Sequence, residues 1–400
     1  MLGVGECIFY TFIGVGLGTV TGLVPGIHVN TLIPFFYLMN PSVETCVVIV
    51  ALMITHTFLN FIPSTLLGVP DEATALTVLP AHKMLLKGRG LEAIKLTAIG
   101  SLGSILVSFL ILYPVYLFMP AVYDLIRPWM AYFLIVISVL LILTERGIKM
   151  LYALFVFFLS GCLGCIILNS HILSEDQKLL PVFTGLFGLS LLFFSIKNKT
   201  EVPVQPLDFR ILIPKGEVVK SVIKGSVAGM FVAFFPGLGN THATVLVHLG
   251  GVKKKLYGSR GFIIACAGVN TSNAIFALVA LYTINKPRSG AVIAIQNIIE
   301  LDRNILMVFL SIVLISSGIA VWLTLTFGKI GIRLIQKVPY RNLCIFIFVV
   351  IVSLVFFFTG VVGLIVLITS LAIGVLPHLF GIKKSHCMGV LLLPIILYYL

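Results

Sequence analysis

Charged residues are scarce in this chain. Asp, Glu, Lys and Arg make up 10% of its 400 residues, and no Lys or Arg precedes Lys83. The N-terminus therefore lacks the basic region of a signal peptide, and we assign the first apolar stretch to the mature protein. The HExxH, P-loop, GxSxG and dinucleotide-binding motifs are also missing, which argues against hydrolase, ATPase and oxidoreductase chemistry. We predict a protein that is not an enzyme, has no cofactor and takes its energy from an ion gradient.

Metal and thiol sites are not indicated either. Cys162 and Cys165 have CxxC spacing, but they lie in the apolar stretch LSGCLGC without a second pair. Packing of small residues explains them better than metal binding or redox chemistry does.

Apolar residues dominate what is present. They make up 59% of the chain, and the mean hydropathy is +1.16. A chain of this composition has more apolar surface than one soluble core could bury. We therefore predict an all-α polytopic membrane protein without a soluble domain. The apolar blocks lie near residues 8–36, 44–69, 96–118, 129–143, 150–169, 181–196, 225–249, 261–284, 305–328, 343–358, 362–379 and 387–400.

The net charge of +13 points to membrane topology, not to nucleic acid. Most of the Lys and Arg residues lie in six loops, near 82–95, 146–149, 197–224, 253–260, 329–341 and 383–384. Cytoplasmic loops of membrane proteins carry such an excess of cations. The five remaining cations, in three other loops, are Arg127, Lys178, Lys286, Arg288 and Arg303.

An internal duplication follows from the glycine and proline pattern. A shift of 211 residues places Gly14 on Gly225, Gly18 on Gly229 and the Pro25-Gly26 step on Pro236-Gly237. We predict a first repeat at 1–200, a cytoplasmic connector at 201–224 and a second repeat at 225–400. Further along, the segment 56–60 corresponds to 270–273, and Pro70 to Pro287.

Each Pro-Gly step predicts a re-entrant hairpin. The block 225–249 has cations on both sides, so its ends are expected on one face of the membrane, with the turn at Pro236-Gly237. One hairpin and about five crossings in each half would invert the second half relative to the first. Inverted repeats with broken helices are typical of secondary transporters, whose binding site lies at the breaks.

The motifs resemble a known family. The segments GLVPGIHVNT and FFPGLGNTHAT, and the run IPSTLLGVPDEATALTVLPAHKMLLKGRGLEAIKLTAIGSLGS from Ile62 to Ser104, are similar to the large membrane subunit of tripartite tricarboxylate transporters, the TctA family. The resemblance covers most of the chain, which is more similar to the short archaeal members than to the longer usual subunit. It implies a carboxylate permease that, in bacteria, works with a small membrane subunit and an extracytoplasmic binding protein.

Polar residues at the breaks are the candidate ligands of an anion. A helix that restarts after a Pro-Gly turn presents free N–H groups and the positive end of its dipole. The same Asn and Thr residues could instead be ordinary N-caps. The candidate substrate-binding residues are Pro25, Gly26, His28, Asn30, Thr31, Asn60, Pro236, Gly237, Asn240, Thr241, His242, Asn270, Thr271, Asn273 and Arg288.

Asp71 is the candidate for ion coupling. It follows Pro70 in an apolar neighbourhood, and a carboxylate at membrane depth usually faces a cavity in which it binds H+ or Na+. The alternative is that Asp71 and Glu72 are acidic residues in the first turn of a helix. Arg288, beside Pro287, could neutralise a substrate carboxylate or be a solvated loop residue.

Three functions stay open at this point. The first is a secondary transporter of a small organic anion in the cytoplasmic membrane. The second is a translocase for a lipid-linked phosphate such as polyprenyl phosphate, because anion-binding hairpin tips would suit a phosphate headgroup. The third, a membrane enzyme acting on lipid, has no evident nucleophile and base. Partners are the anion and membrane lipid, with no nucleic acid, and both a homodimer and the accessory subunits remain open.

Overall fold

The computed structural model describes most of the chain. The described residues are 3–24, 29, 32, 36, 42–69, 74, 76–170, 172–173, 177–197, 202–207, 211, 213–234, 239–240, 243–244, 247, 258–287 and 289–400. Every regular element within them is helical.

The helices of the first half follow the apolar blocks. They are α1 (Val4–Leu23), α2 (Val43–Leu59), α3 (Phe61–Leu66), α4 (Val78–Leu85), α5 (Gly90–Ile126), α6 (Met130–Ile142), α7 (Ile148–Asn169) and α8 (Leu179–Lys197). A 3-10 turn at Arg127–Trp129 joins α5 to α6, and the segment Thr184–Leu189 of α8 is π-helical.

The second half continues with α9 (Lys215–Phe234), α10 (Gly258–Ile284), α11 (Gly290–Ile298), α12 (Arg303–Lys337), α13 (Tyr340–Phe380) and α14 (Gly389–Tyr399). A 3-10 turn at Lys384–Met388 precedes α14. Helix α9 begins at Lys215, ten residues before the predicted start of the second repeat at 225.

Eight of these helical stretches are long and apolar enough to cross a membrane, counted over the described ranges. This confirms the prediction of an all-helical polytopic membrane protein. The spans also carry many exposed apolar side chains, such as Leu110, Phe357 and Ile368, as expected for faces that contact lipid.

One predicted gap between apolar blocks agrees with the structure and another differs from it. The blocks 343–358 and 362–379 match the two helical parts of α13, which meet at Gly360 with φ 63° and ψ −158°. Only glycine adopts such a backbone easily, because it lacks a Cβ atom. The gap between 118 and 129 is instead largely helical, since α5 continues to Ile126.

Helices α2 and α10 form the centre of the molecule. Every residue of α2 from Thr45 to Leu59 is buried, and most of α10 is buried as well. Two glycines on α1, Gly14 and Gly18, lie against the backbone of α2 so closely that a Cβ atom would collide with it. Small residues at four-residue spacing permit this backbone contact in membrane helices, where lipid supplies no hydrophobic drive for association.

Candidate functional site

A polar patch interrupts the apolar central helices. Asn270, Thr271 and Asn273 lie near the middle of α10, and Asn60 lies at the junction of α2 and α3. Asn60 and Asn270 are buried, where an amide without a hydrogen-bond partner would cost about 1–3 kcal/mol. The side chains of the patch therefore require hydrogen-bond partners, and they bond to one another.

Four asparagines form one chain of hydrogen bonds. Asn273 Nδ2 donates to Asn240 Oδ1 at 2.7 Å, and Asn240 Nδ2 donates to Asn270 Oδ1 at 2.9 Å. Asn270 Nδ2 in turn lies 3.4 Å from Asn60 Oδ1 and 3.2 Å from the carbonyl oxygen of Thr57. The chain connects residues that are more than 200 positions apart in the sequence.

The two ends of this chain differ in exposure. Asn60 and Asn270 are buried, whereas Asn240 and Asn273 are half-buried. An amide group carries two N–H bonds. In the hydrogen bonds between described residues, Asn240 and Asn273 each use one of them. The more exposed end can thus donate to an anion without adding a fixed charge.

Hydroxyl groups extend the patch on the buried side. Thr271 Oγ1 lies 3.3 Å from Thr57 Oγ1, and because Thr57 donates to the Ile54 carbonyl oxygen, Thr271 is the donor of this pair. Ser108 of α5 donates to Ser272 Oγ at 3.2 Å. These contacts tie the first-half helices α2 and α5 to α10.

A buried ion pair lies where α5 and α10 begin. Arg260 Nε donates to Glu92 Oε1 at 2.7 Å, and the Glu92 side chain is fully buried. Arg89 forms a second ion pair with Glu92, in which Nε lies 2.7 Å from Oε2. The Nε–H bond of Arg89 does not point at this oxygen, so the contact is not a hydrogen bond. The sequence analysis missed this pair, because nothing in the pattern of either helix indicates that the two residues meet.

His82 of α4 joins a second buried cluster. Its Nδ1 lies 3.0 Å from the Thr65 carbonyl oxygen, which only accepts, so Nδ1 carries the proton. Its Nε2 lies 3.2 Å from the Tyr340 hydroxyl. Burial lowers the pKa of His82, although the bond to Thr65 acts in the opposite direction. A neutral ring fits this arrangement, with Nε2 accepting from Tyr340 and linking α4 to α13.

The structure brings together five of the residues that the sequence analysis singled out: Asn60, Asn240, Asn270, Thr271 and Asn273. The other candidates lie outside the described residues. These are Pro25, Gly26, His28, Asn30, Thr31, Asp71, Pro236, Gly237, Thr241, His242 and Arg288.

Thr57, Ser108 and Ser272 belong to the patch but were not predicted individually. In the sequence each of them is only a hydroxyl residue inside an apolar helix. Such a residue needs no distant partner, because its hydroxyl can donate to a backbone carbonyl of its own helix. The described ranges contain no group of three or more His, Cys, Asp or Glu side chains that could hold a metal ion.

Comparison with known proteins agrees with the motifs. The profile described as "Tripartite tricarboxylate transporter TctA family" matches residues 8–389. The uncharacterized protein MJ1079 of Methanocaldococcus jannaschii is 34% identical over 413 residues, an alignment that covers 98% of this chain and 99% of that protein. No solved structure matches the chain. The resemblance drawn from the motifs is confirmed: the chain belongs to the tripartite tricarboxylate transporter TctA family, a family of membrane transporters and not of enzymes.

Proposed function

We propose that this chain is an ion-gradient-driven secondary transporter that carries a small organic anion, a carboxylate, across the cytoplasmic membrane. The observation that carries the proposal is the chain of amides from Asn60 to Asn273, which includes the middle of α10 and the junction of α2 and α3. Polar groups at that depth are costly and usually mark a substrate path. Neutral N–H donors suit a carboxylate that must be released again on the other side.

The substrate class can be tested with the purified protein. We expect di- and tricarboxylates such as succinate and citrate to raise its melting temperature, because a ligand that binds only the folded state stabilises it by RT ln(1 + [L]/Kd). The uncharged analogue tricarballylamide is the control for polar binding without charge. Stabilisation by polyprenyl phosphate and by no carboxylate would contradict the proposal and favour the lipid-phosphate translocase.

The architecture we propose is a pair of inverted repeats, each with a re-entrant hairpin. Reciprocal packing supports it. Helix α1 packs on α2 as α9 packs on α10, and α2 contacts α12 as α10 contacts α5. The equivalent glycines Gly14 and Gly225 both lie against the backbone of their partner helix.

The hairpin tips are proposed to meet at the amide chain. Gly22, three residues before Pro25, lies against Leu59 and the backbone N of Asn60. Asn240, three residues after Gly237, donates to Asn270, which itself contacts Asn60. Gly22 and Asn240, each within three residues of a break in the sequence, thus adjoin one polar patch. This supports the proposal that two helix ends share an anion there.

The cation-rich loops are proposed to be cytoplasmic, with both termini outside. Support comes from contacts between loops assigned to the same side: Gly90 N donates to Gln205 Oε1, Gln336 donates to the Gln205 carbonyl oxygen, and Lys383 N donates to Glu145. On the opposite side, Lys286 contacts the Tyr123 hydroxyl at 3.2 Å.

Single cysteines in a cysteine-free variant test this sidedness. A cysteine at Lys215 and one at Lys254 should both react with a membrane-impermeant maleimide from the cytoplasmic face only, because the hairpin between them returns to its side of entry. A cysteine at Arg303 is the control for the outer face. Labelling of positions 215 and 254 from opposite faces would show that residues 225–249 cross the membrane and would end the hairpin proposal.

Ion coupling is proposed to reside at Asp71. A carboxylate that binds H+ or Na+ in alternation with its access to the two sides makes uptake depend on the ion gradient. Asp71→Asn should abolish gradient-driven uptake in proteoliposomes while ligand-induced stabilisation persists. Glu72→Gln is the matched control. Unchanged gradient-driven uptake by Asp71→Asn would leave Asp71 as a helix-start residue only.

Accessory proteins complete the proposal. The family description names a tripartite system, so a small membrane subunit and an extracytoplasmic binding protein are the partners we propose. Co-purification of the chain from its native membranes would identify them.

A further inference from the structure

Two loops meet at the ends of α7 and α13, outside the amide patch. The backbone N of Lys383 donates to Glu145 Oε1 at 3.0 Å, and His386 Nε2 lies 3.2 Å from the same oxygen. Lys149 Nζ donates to the carbonyl oxygen of Gly381 at 3.0 Å. The residues 143–149 and 379–386 thus form one surface, which we call the paired-loop surface.

Three exposed cations dominate this surface: Arg146, Lys149 and Lys383. Lys149 and Lys383 contact backbone carbonyl oxygens, those of Gly381 and Thr144. An ammonium group has three N–H donors, and each of these contacts uses one of them. The surface therefore keeps charge and donors directed outward.

Glu145, the carboxylate of the surface, already has hydrogen-bond partners in Lys383 and His386. Burial raises the pKa of Glu145, but the Lys383 amide, the His386 ring and the Lys383 charge outweigh burial, so that the pKa is lowered and the group stays ionised. Lys384 points inward, where its Nζ donates to the Phe187 carbonyl oxygen at 2.9 Å. Three outward cations thus stand against one carboxylate, which favours an anionic ligand.

Exposed apolar side chains flank the cations. Leu143 is 57% exposed, Ile148 59% and Leu379 64%, and the Tyr152 ring stacks on Phe380 with centroids 4.7 Å apart. These residues lie in the first two turns or the last turn of membrane-spanning helices or directly beside them. Acyl chains can cover the apolar residues while the cations reach the headgroup level, as Lys and Arg side chains do near helix ends.

We propose that the paired-loop surface binds the headgroup of an anionic phospholipid from the membrane leaflet on the cation-rich side. A soluble anion would satisfy the cations but would leave Leu143, Ile148 and Leu379 uncovered. A lipid satisfies both, with its phosphate between Lys149 and Lys383. The bound lipid would hold together two loops that come from different halves of the chain.

Nanodiscs of defined composition test the proposal. Phosphatidylglycerol nanodiscs should raise the melting temperature of the full chain above its value in phosphatidylcholine nanodiscs. The variant Lys149→Gln/Lys383→Gln should lose at least half of this difference. Lys329→Gln/Arg333→Gln, which removes the same charge from exposed positions on α12, should keep it. Equal losses in both variants would attribute the effect to general charge attraction and overturn the site.

Two further measurements separate the remaining outcomes. Glycerol 3-phosphate in solution should not replace phosphatidylglycerol, and equal stabilisation by the soluble anion would overturn the lipid assignment. Photoreactive phosphatidylglycerol, mapped by peptide mass spectrometry on the unaltered chain, should label residues 143–152 or 376–385. This labelling decides the question even when the double variant does not fold, and labelling confined to other segments would refute the site.

Discussion

Glu92→Gln is expected to lower the free energy of unfolding by about 3–5 kcal/mol. Glu92 is fully buried and pairs with Arg260 at 2.7 Å, so that its neutralisation leaves a guanidinium group with little access to water and no counter-charge from this partner. Equilibrium unfolding in mixed micelles with sodium dodecyl sulfate measures the change.

The design includes a matched control and a coupling test. Glu300→Gln makes the same chemical change at an exposed position and should alter the free energy by less than about 0.5 kcal/mol. The double variant Glu92→Gln/Arg260→Gln should be less destabilised than the sum of its two single variants, because it also removes the buried Arg260 charge that Glu92→Gln deprives of its counter-charge. Strict additivity, or equal effects at positions 92 and 300, would refute a stabilising pair between α5 and α10.

Asn273→Asp is expected to weaken binding of the carboxylate at least about tenfold, which corresponds to about 1.4 kcal/mol. Asn273 lies at the more exposed end of the amide chain, where it is half-buried. The substitution replaces an N–H donor by a negative charge, and like charges about 4 Å apart repel by several kcal/mol in the partly screened interior of a protein. Isothermal titration with the carboxylate that stabilises the protein measures the change.

Stability and binding must be separated in this experiment. Asn273→Asp removes one neutral hydrogen bond, worth about 1 kcal/mol, so the folded state should persist. Asn304→Asp introduces the same charge at an exposed position near the start of α12 and should leave binding unchanged. Asn240→Ala removes two hydrogen bonds of the amide chain. It should also reduce the free energy of binding by more than it reduces the free energy of unfolding. Full affinity in both Asn273→Asp and Asn240→Ala would place the substrate elsewhere.

The sequence analysis named all four asparagines of the amide chain, and their role in substrate binding stays a prediction. Asn60 and Asn270 stood out because the proposed internal repeat placed them in corresponding segments. In the structure Asn270 Nδ2 lies 3.4 Å from Asn60 Oδ1. The hydroxyl partners Thr57 and Ser108 could not be singled out, because a Ser or Thr in a helix can satisfy itself by donating to the preceding turn.

The sequence by itself determined the class of the protein. Its hydropathy requires helices in lipid, because only segments that satisfy their own backbone hydrogen bonds can cross a bilayer. Its proline and glycine motifs are sufficient to indicate the TctA family, and the match over residues 8–389 agrees with them. These properties depend on composition and local order, which are readable along the chain.

Only the tertiary structure decided which helix faces meet. Glu92 and Arg260 are 168 residues apart, and Lys149 and Gly381 are 232 residues apart. Their contacts depend on how each helix is rotated about its axis and how far it is shifted along its neighbour. Helices that are apolar on all sides carry little amphipathic signal to set that rotation. The rotation is set instead by close packing at glycines such as Gly100, where α10 leaves no room for a side chain, and such packing exists only once both helices are in place.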